Sequence, residues 1–201
     1  MKTYTPLKKS QIFEITFATT ILYLFLTIML VSCNDSKKED SKDVAEEHNN
    51  AKFENAQEDD AKFLVSAAEI TMEQIQLGQL AQNMGKASHV KDLGKMMETE
   101  HAKTLADLKT LASKKQITLP ATLTDDGMSD NKKLTDTNPS SFDKEYADLM
   151  VSTHKDAISK FENASVDLKD ADIRKWADSM VPTLRKHLDQ SFTCQKECEK
   201  M

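Results

Sequence analysis

The chain has 201 residues, with 27 Lys and Arg against 33 Asp and Glu, a net charge of −6, only 4 Gly and 4 Pro, and 6% aromatic residues. The acidic balance argues against a binder of phosphate backbones, whose affinity comes from Lys and Arg releasing counterions, so no nucleic-acid partner is expected. Few turn residues, with abundant Ala, Leu, Lys, Glu, Asp and Met, argue against a β sandwich and for helices.

Lys2, Lys8 and Lys9 precede a mostly apolar run from Ile15 to Val31 that ends in Leu30-Val31-Ser32-Cys33. This ending resembles a bacterial lipobox. The apolar run partitions into the export membrane, small side chains let a peptidase grip the backbone, and the Cys33 sulfur takes a diacylglycerol. Residues 1–32 are therefore expected to be a lipoprotein signal peptide, with cleavage before a lipidated Cys33. The alternative is an uncleaved signal anchor, since the run would span roughly 25 Å as a helix, near the lower limit for a bilayer. No later stretch reaches about eighteen consecutive apolar residues.

After Cys33, residues to about 58 are rich in Lys, Asp, Glu and Asn, with Val44 and Phe53 the large apolar exceptions. Such a segment buries too little surface to offset its ordering entropy. Residues 33–58 are thus expected to form the lipidated cysteine and a disordered polar tether. The expected partner is a membrane, reached through the lipid, and the expected location is the outer membrane of a cell envelope, on its periplasmic or surface face. The run Lys37-Lys38-Glu39-Asp40 is similar to surface-export signals, although solvated charge beside a membrane is the commoner explanation and the preferred one.

The remainder, 59–201, reads as one helical domain. Phe63, Ala67, Ile70, Leu77, Ala81 and Met84 share a face at about 100° per residue, predicting a first helix over about 60–84. Gly85 breaks it. A second helix carries Leu93, Met97, Leu105, Leu108 and Ala112 and ends near Lys114 and Lys115, where cations suit the carbonyl end. Residues 116–139, with Pro120, Gly127 and Pro139, form the long connection. Ser140 and Ser141 are candidate caps for a third helix through Tyr146, Met150, Ala157, Ile158 and Phe161. A fourth runs from about Ala171 to Glu197, with Pro182 expected to bend it. Short first and last links and a long middle one predict an all-α, ferritin-like four-helix bundle with a long crossover between the second and third helices. An up-down-up-down bundle with a loose middle loop is the alternative. A monomer or homodimer fits either.

One polar side chain on each helix falls inside the apolar stripe. His101 lies among Met97, Leu105 and Leu108, His154 among Met150, Ile158 and Phe161, His187 beside Met180, Leu184 and Ser191, and Gln74 between Ile70 and Leu77. All four lie within about 4.5 Å of the estimated mid-height at about 1.5 Å per residue, so they should meet in one layer. Buried imidazole nitrogens need partners: a metal, a carboxylate, water or one another.

Met97-Glu98-Thr99-Glu100-His101, Ile117-Thr118-Leu119-Pro120, Phe142-Asp143-Lys144-Glu145-Tyr146, Met150-Val151-Ser152-Thr153-His154 and Val181-Pro182-Thr183-Leu184-Arg185-Lys186-His187-Leu188 resemble a family of exported bacterial proteins. That family is catalogued as predicted outer-membrane proteins with a ferritin-like bundle and a domain of unknown function. The resemblance covers about residues 60–192 and implies the fold but no settled activity. Two positions depart from it: Gln74 stands where Glu is expected, and Glu100 where Asp commonly precedes the histidine.

The di-iron pattern of ferritin-like enzymes needs Glu from two helices and Glu-x-x-His from the other two. Only Glu98-x-x-His101 matches, and Glu98 points off the inward face, while Glu69 and Glu73 read as solvated flank. Candidate metal ligands are therefore His101, His154 and His187, with Gln74 and Glu100 as weaker ones, and the candidate ion is iron, zinc or copper. Cys194 and Cys198, one helical turn apart, are candidates for a disulfide or for thiols that bind a soft metal. With no nucleophile beside a base, no Gly-rich phosphate loop and no complete carboxylate pair, an enzyme is disfavoured. The leading expectation is a membrane-anchored envelope lipoprotein whose helical module is structural or interacting. A metal-binding or storage protein using the histidine layer is the alternative.

Overall fold

The structure, a computed structural model, describes residues 39–54 and 56–200. The expectations for the signal peptide and for Cys33 lie outside those residues. The described residues form six α-helices and no strand: α1 Ser41–Asn50, α2 Ala56–Met84, α3 Ser88–Lys115, α4 Asp125–Thr135, α5 Phe142–Asp167 and α6 Ala171–Cys198. None of them is long and apolar enough to cross a membrane.

The short turns at 85–87 and 168–170 fold α2 onto α3 and α5 onto α6 as antiparallel pairs. Two buried aspartates then join the pairs at opposite ends. Asp143, at the start of α5, accepts from the backbone N–H groups of Lys86 and Ala87 at 2.9 and 2.8 Å. Asp60, near the start of α2, accepts from those of Lys169 and Asp170, both at 3.0 Å. Each carboxylate satisfies amides at a turn that would otherwise be orphaned. Lys115, ending α3, pairs with Asp170 at 2.6 Å and with Asp172 at 2.7 Å, so α3 ends where α6 begins. The chain from 116 to 141 must therefore travel from one end of the helices to the other, and α4 forms on the way, packed on α2. The expectation of a plain connection over 116–139 missed α4. Thr124 caps it from its side-chain oxygen, and Asp125 and Asp126 sit in its first turn.

The larger correction concerns residues 41–50, which lie within the segment 33–58 expected to be disordered. Residues 41–50 are helical and docked. Asp40 caps α1 by accepting from Lys42 N–H at 2.7 Å. Ala45 and Asn49 are buried, and Asn49 exchanges two hydrogen bonds with the Thr118 backbone, at 2.9 and 2.8 Å. Ser41 Oγ accepts from Ala121 N–H at 2.7 Å. The segment lacks an apolar stripe, but its polar side chains satisfy the backbone of the crossover, which a reading of hydrophobic periodicity does not register.

Of the two expected caps of α5, Ser141 occupies the N-cap, although its side chain makes no capping hydrogen bond. Pro182 lies inside α6, which runs unbroken through it.

The core divides into two apolar clusters. One gathers Phe63, Leu108, Phe161, Ile173, Ala177 and Leu184; the other gathers Leu77, Val90, Met97, Tyr146, Met150 and Cys194. The polar positions 74, 101, 154 and 187 fall between them along the helices.

Candidate metal centre

α3, α5 and α6 each bring one histidine to the junction of the two clusters. His101, His154 and His187 are 3%, 1% and 1% exposed, and so lie out of reach of bulk water. Their ring centroids are 5.7 Å apart for 101–154, 5.1 Å for 101–187 and 5.5 Å for 154–187. One ligand nitrogen from each lies within 4.8 Å of one from both others. A tetrahedral ion with metal–nitrogen bonds of about 2.1 Å would hold them about 3.4 Å apart, so binding would draw the rings inward.

The outward nitrogens of two rings are already engaged. His154 Nδ1–H donates to the Met150 carbonyl at 2.8 Å, one turn back along α5. His187 Nε2–H donates to Glu100 Oε2 at 2.8 Å, and Glu100 also accepts from Lys186 Nζ at 2.9 Å. An acceptor on one nitrogen fixes the tautomer and leaves a lone pair on the other. Those other atoms, His154 Nε2 and His187 Nδ1, have no partner, nor has either ring nitrogen of His101. Leaving such atoms buried and unpaired costs about 1 to 3 kcal/mol each, a penalty that a shared cation would remove for one nitrogen of each ring.

Electrostatics keep the rings neutral. Burial pushes all three imidazoles below their ordinary 6.5, His154 to about 4, and for His101 the two neighbouring histidines add to the effect. Neutral imidazole is the metal-binding form. The His187 bond, in turn, holds the Glu100 carboxyl below its ordinary value.

The weaker candidates occupy supporting places. Gln74 is buried and donates from Nε2 to Thr153 Oγ1 at 3.1 Å, and its Oε1 has no partner. Glu100 stands behind His187, on the far side of the ring from the inward nitrogen. Glu98, the one match to a di-iron pattern, is bound by Gln79 and Gln82 and is absent from the cluster. The flank readings for Glu69 and Glu73 need amendment, because α1 and α4 cover that side. Glu69 pairs with Lys42 at 3.1 Å, and Glu73 is pushed up to about 7 by burial first and by the negative Asp130 second.

A small void beside the centre, lined by Ile70, His101, Phe161, Met180, Leu184 and His187, measures about 10 Å³. One water needs about 10 to 15 Å³, so the void admits nothing larger.

Cys194 and Cys198 are free cysteines in the structure. His89, in the first turn of α3, stands beside them, with Nε2 3.3 Å from Cys198 Sγ. Only the distance of more than 100 residues along the chain hid that neighbourhood.

A family model described as "Domain of unknown function (DUF4142)" matches residues 45–193, from within α1 to within α6. No curated protein and no solved structure gives a significant match.

Proposed function

The chain belongs to the DUF4142 family, and from that premise we propose that it is a metal-binding module that holds one first-row transition ion at His101, His154 and His187. The observation that carries this reading is the set of unpartnered inward nitrogens on three buried, neutral rings, two of which are anchored on their outer side by Met150 and Glu100. Outer-shell anchoring of this kind orients ligating histidines and raises their basicity. An all-nitrogen set suits zinc or copper, whereas iron would want carboxylates. The void of about 10 Å³ has no room for a substrate beside an ion, which favours holding the metal over turnover.

The setting belongs to the same reading. The two antiparallel pairs and the end-to-end run from 116 to 141 support a ferritin-like bundle. The lipobox at Leu30 to Cys33 supports an envelope lipoprotein tethered to the outer membrane.

The test is metal analysis and thermal melting of the full chain carrying Cys198→Ser, so that thiols contribute little. One zinc or copper ion per chain is expected, with a rise in melting temperature on loading. Both should vanish when His101, His154 and His187 are changed to Gln, with helical content by circular dichroism reporting that the variant folds. Equal uptake by the folded triple variant would overturn the reading.

A further inference from the structure

We propose a second metal site, for a thiophilic closed-shell cation, Cu(I) or Zn(II), formed by Cys194, Cys198 and His89 at the end of α6 and the start of α3. It does not rest on the buried histidine centre.

The geometry begins with spacing. Positions i and i+4 on a helix share a face, so α6 presents both sulfurs on one side. α3 runs antiparallel to α6, and its first turn brings His89 opposite. One ligand atom from each of the three residues lies within 4.8 Å of the others. His89 Nε2 is 3.3 Å from Cys198 Sγ, while its Nδ1 lies 3.4 Å from Glu197 Oε2. A carboxylate on the far nitrogen is the arrangement that orients a ligating histidine and sets its tautomer. The protein also leaves the site open. A cavity of about 290 Å³ adjoins it, lined by His89, Asp92, Met96, Gln190, Cys194 and Glu197. That volume admits an ion with its waters or a small exchanging ligand, in contrast to the sealed histidine centre.

The donor set decides the class of ion. Two thiolates and an imidazole are soft ligands that select Cu(I) or Zn(II) over Mg(II), Ca(II) or Mn(II). The Met96 thioether in the wall suits Cu(I), and the carboxylate of Asp92 suits the fourth position that Zn(II) requires. A free cysteine thiol, with a pKa of about 8.5, is mostly protonated at neutral pH. Binding therefore exchanges two thiol protons, released to solvent, for one cation, with no change of oxidation state. The reactive disulfide alternative needs an oxidant, and the metal site needs none.

The test uses the full chain with Cys33→Ala, so that Cys194 and Cys198 are its only thiols, reduced and without oxygen. It is titrated with Cu(I) held by a chromophoric chelator and, separately, with Zn(II). One equivalent of at least one ion should be retained, with two protons released and Cys198 protected from alkylation. Cu(I) should in addition give an ultraviolet thiolate-to-copper band. Cys198→Ser should weaken binding by at least about 100-fold and Glu197→Gln by about 10-fold, the scale for a lost orienting partner. Binding should persist when His101, His154 and His187 are changed to Gln, which separates this site from the buried one. Equal alkylation of Cys198 with and without either ion, or unchanged affinity in Cys198→Ser, would overturn the proposal.

Discussion

His187 and Glu100 meet across α6 and α3 through a single hydrogen bond of 2.8 Å, from a ring nitrogen that is sealed in the core to a carboxylate that reaches solvent. The bond turns Nδ1 of His187 inward, toward the other two rings, and ties the histidine cluster to the surface through Lys186, which pairs with the same carboxylate. Glu100 is thus a positioning residue, acting through His187.

Glu100→Gln should lower metal affinity at the histidine centre by about 10-fold or more, because the amide is a weaker and neutral acceptor. The apoprotein should melt close to wild type, since the pair with Lys186 is solvent-screened and such pairs contribute about 0 to 1 kcal/mol. Competition titration with a zinc chelator measures the first effect and thermal melting of the apoprotein the second. An affinity equal to wild type would remove Glu100 from the site.

The pH dependence of apoprotein stability follows from the depressed imidazoles. A base whose folded value lies below its unfolded 6.5 contributes stability that is complete above 6.5 and is lost as pH falls toward the folded value, about 4 for His154. Urea midpoints should therefore decline from pH 7 to pH 4. Changing His101, His154 and His187 to Gln should flatten that decline, and a profile equally steep in the folded triple variant would assign the acid sensitivity elsewhere.

Glu73 predicts the opposite slope. Its carboxyl is raised from 4.5 to about 7 by burial under α4 and by Asp130, so the stability linked to its protonated form is complete below 4.5 and is lost as pH rises through 7. Glu73→Gln, which keeps the shape and removes the charge, should raise the melting temperature at pH 8 and leave it nearly unchanged at pH 5. Equal shifts at both values would show that Glu73 is ionised throughout.

For the export reading, mass spectrometry of membrane-extracted protein should find an amino terminus at a diacylglycerol-modified Cys33, and Cys33→Ala should abolish that processing. An intact residue 1 would reject the lipobox reading.

The four long helices and the histidine layer were legible because both depend on local periodicity: an inward residue at 3.6 spacing stays inward when the helix packs. His101, His154 and His187 therefore fell where their spacing placed them. What periodicity missed was held by contacts distant in sequence. α1 is polar and is ordered by Asn49 bonding to Thr118, 69 residues away. Glu73 looked solvated because the covering helix α4 arises inside an expected loop. His89 and Cys198 are 109 residues apart, and their meeting requires knowing that α3 and α6 run antiparallel. The role of Glu100 was hidden for a similar reason: it precedes one histidine in sequence and bonds another.

Gly78 of α2 and Gly94 of α3 set how closely those helices approach, one turn from Gln74 and two turns from His101. A Cβ at Gly78 would lie 2.5 Å from the Gly94 carbonyl oxygen and 2.8 Å from the Glu98 nitrogen, both backbone atoms that cannot swing aside. Gly127 is a useful contrast, since the atoms nearest to a Cβ there, at 2.6, 3.0 and 3.6 Å, belong to the side chain of Leu123, which can turn aside where backbone cannot. Replacing Gly by Ala within a helix ordinarily gains about 1 kcal/mol of propensity. At Gly78 the overpacking cost of about 1 to 3 kcal/mol should exceed that gain. Gly78→Ala should therefore lower the melting temperature, and by pushing α3 away from α2 it should shift His101 relative to the rings of α5 and α6 and weaken metal binding. Gly127→Ala should be neutral or mildly stabilising and leave metal binding intact. Paired melting and chelator-competition measurements on the two variants check this, and a Gly78→Ala protein as stable and as metal-competent as wild type would show that the helices can separate without cost.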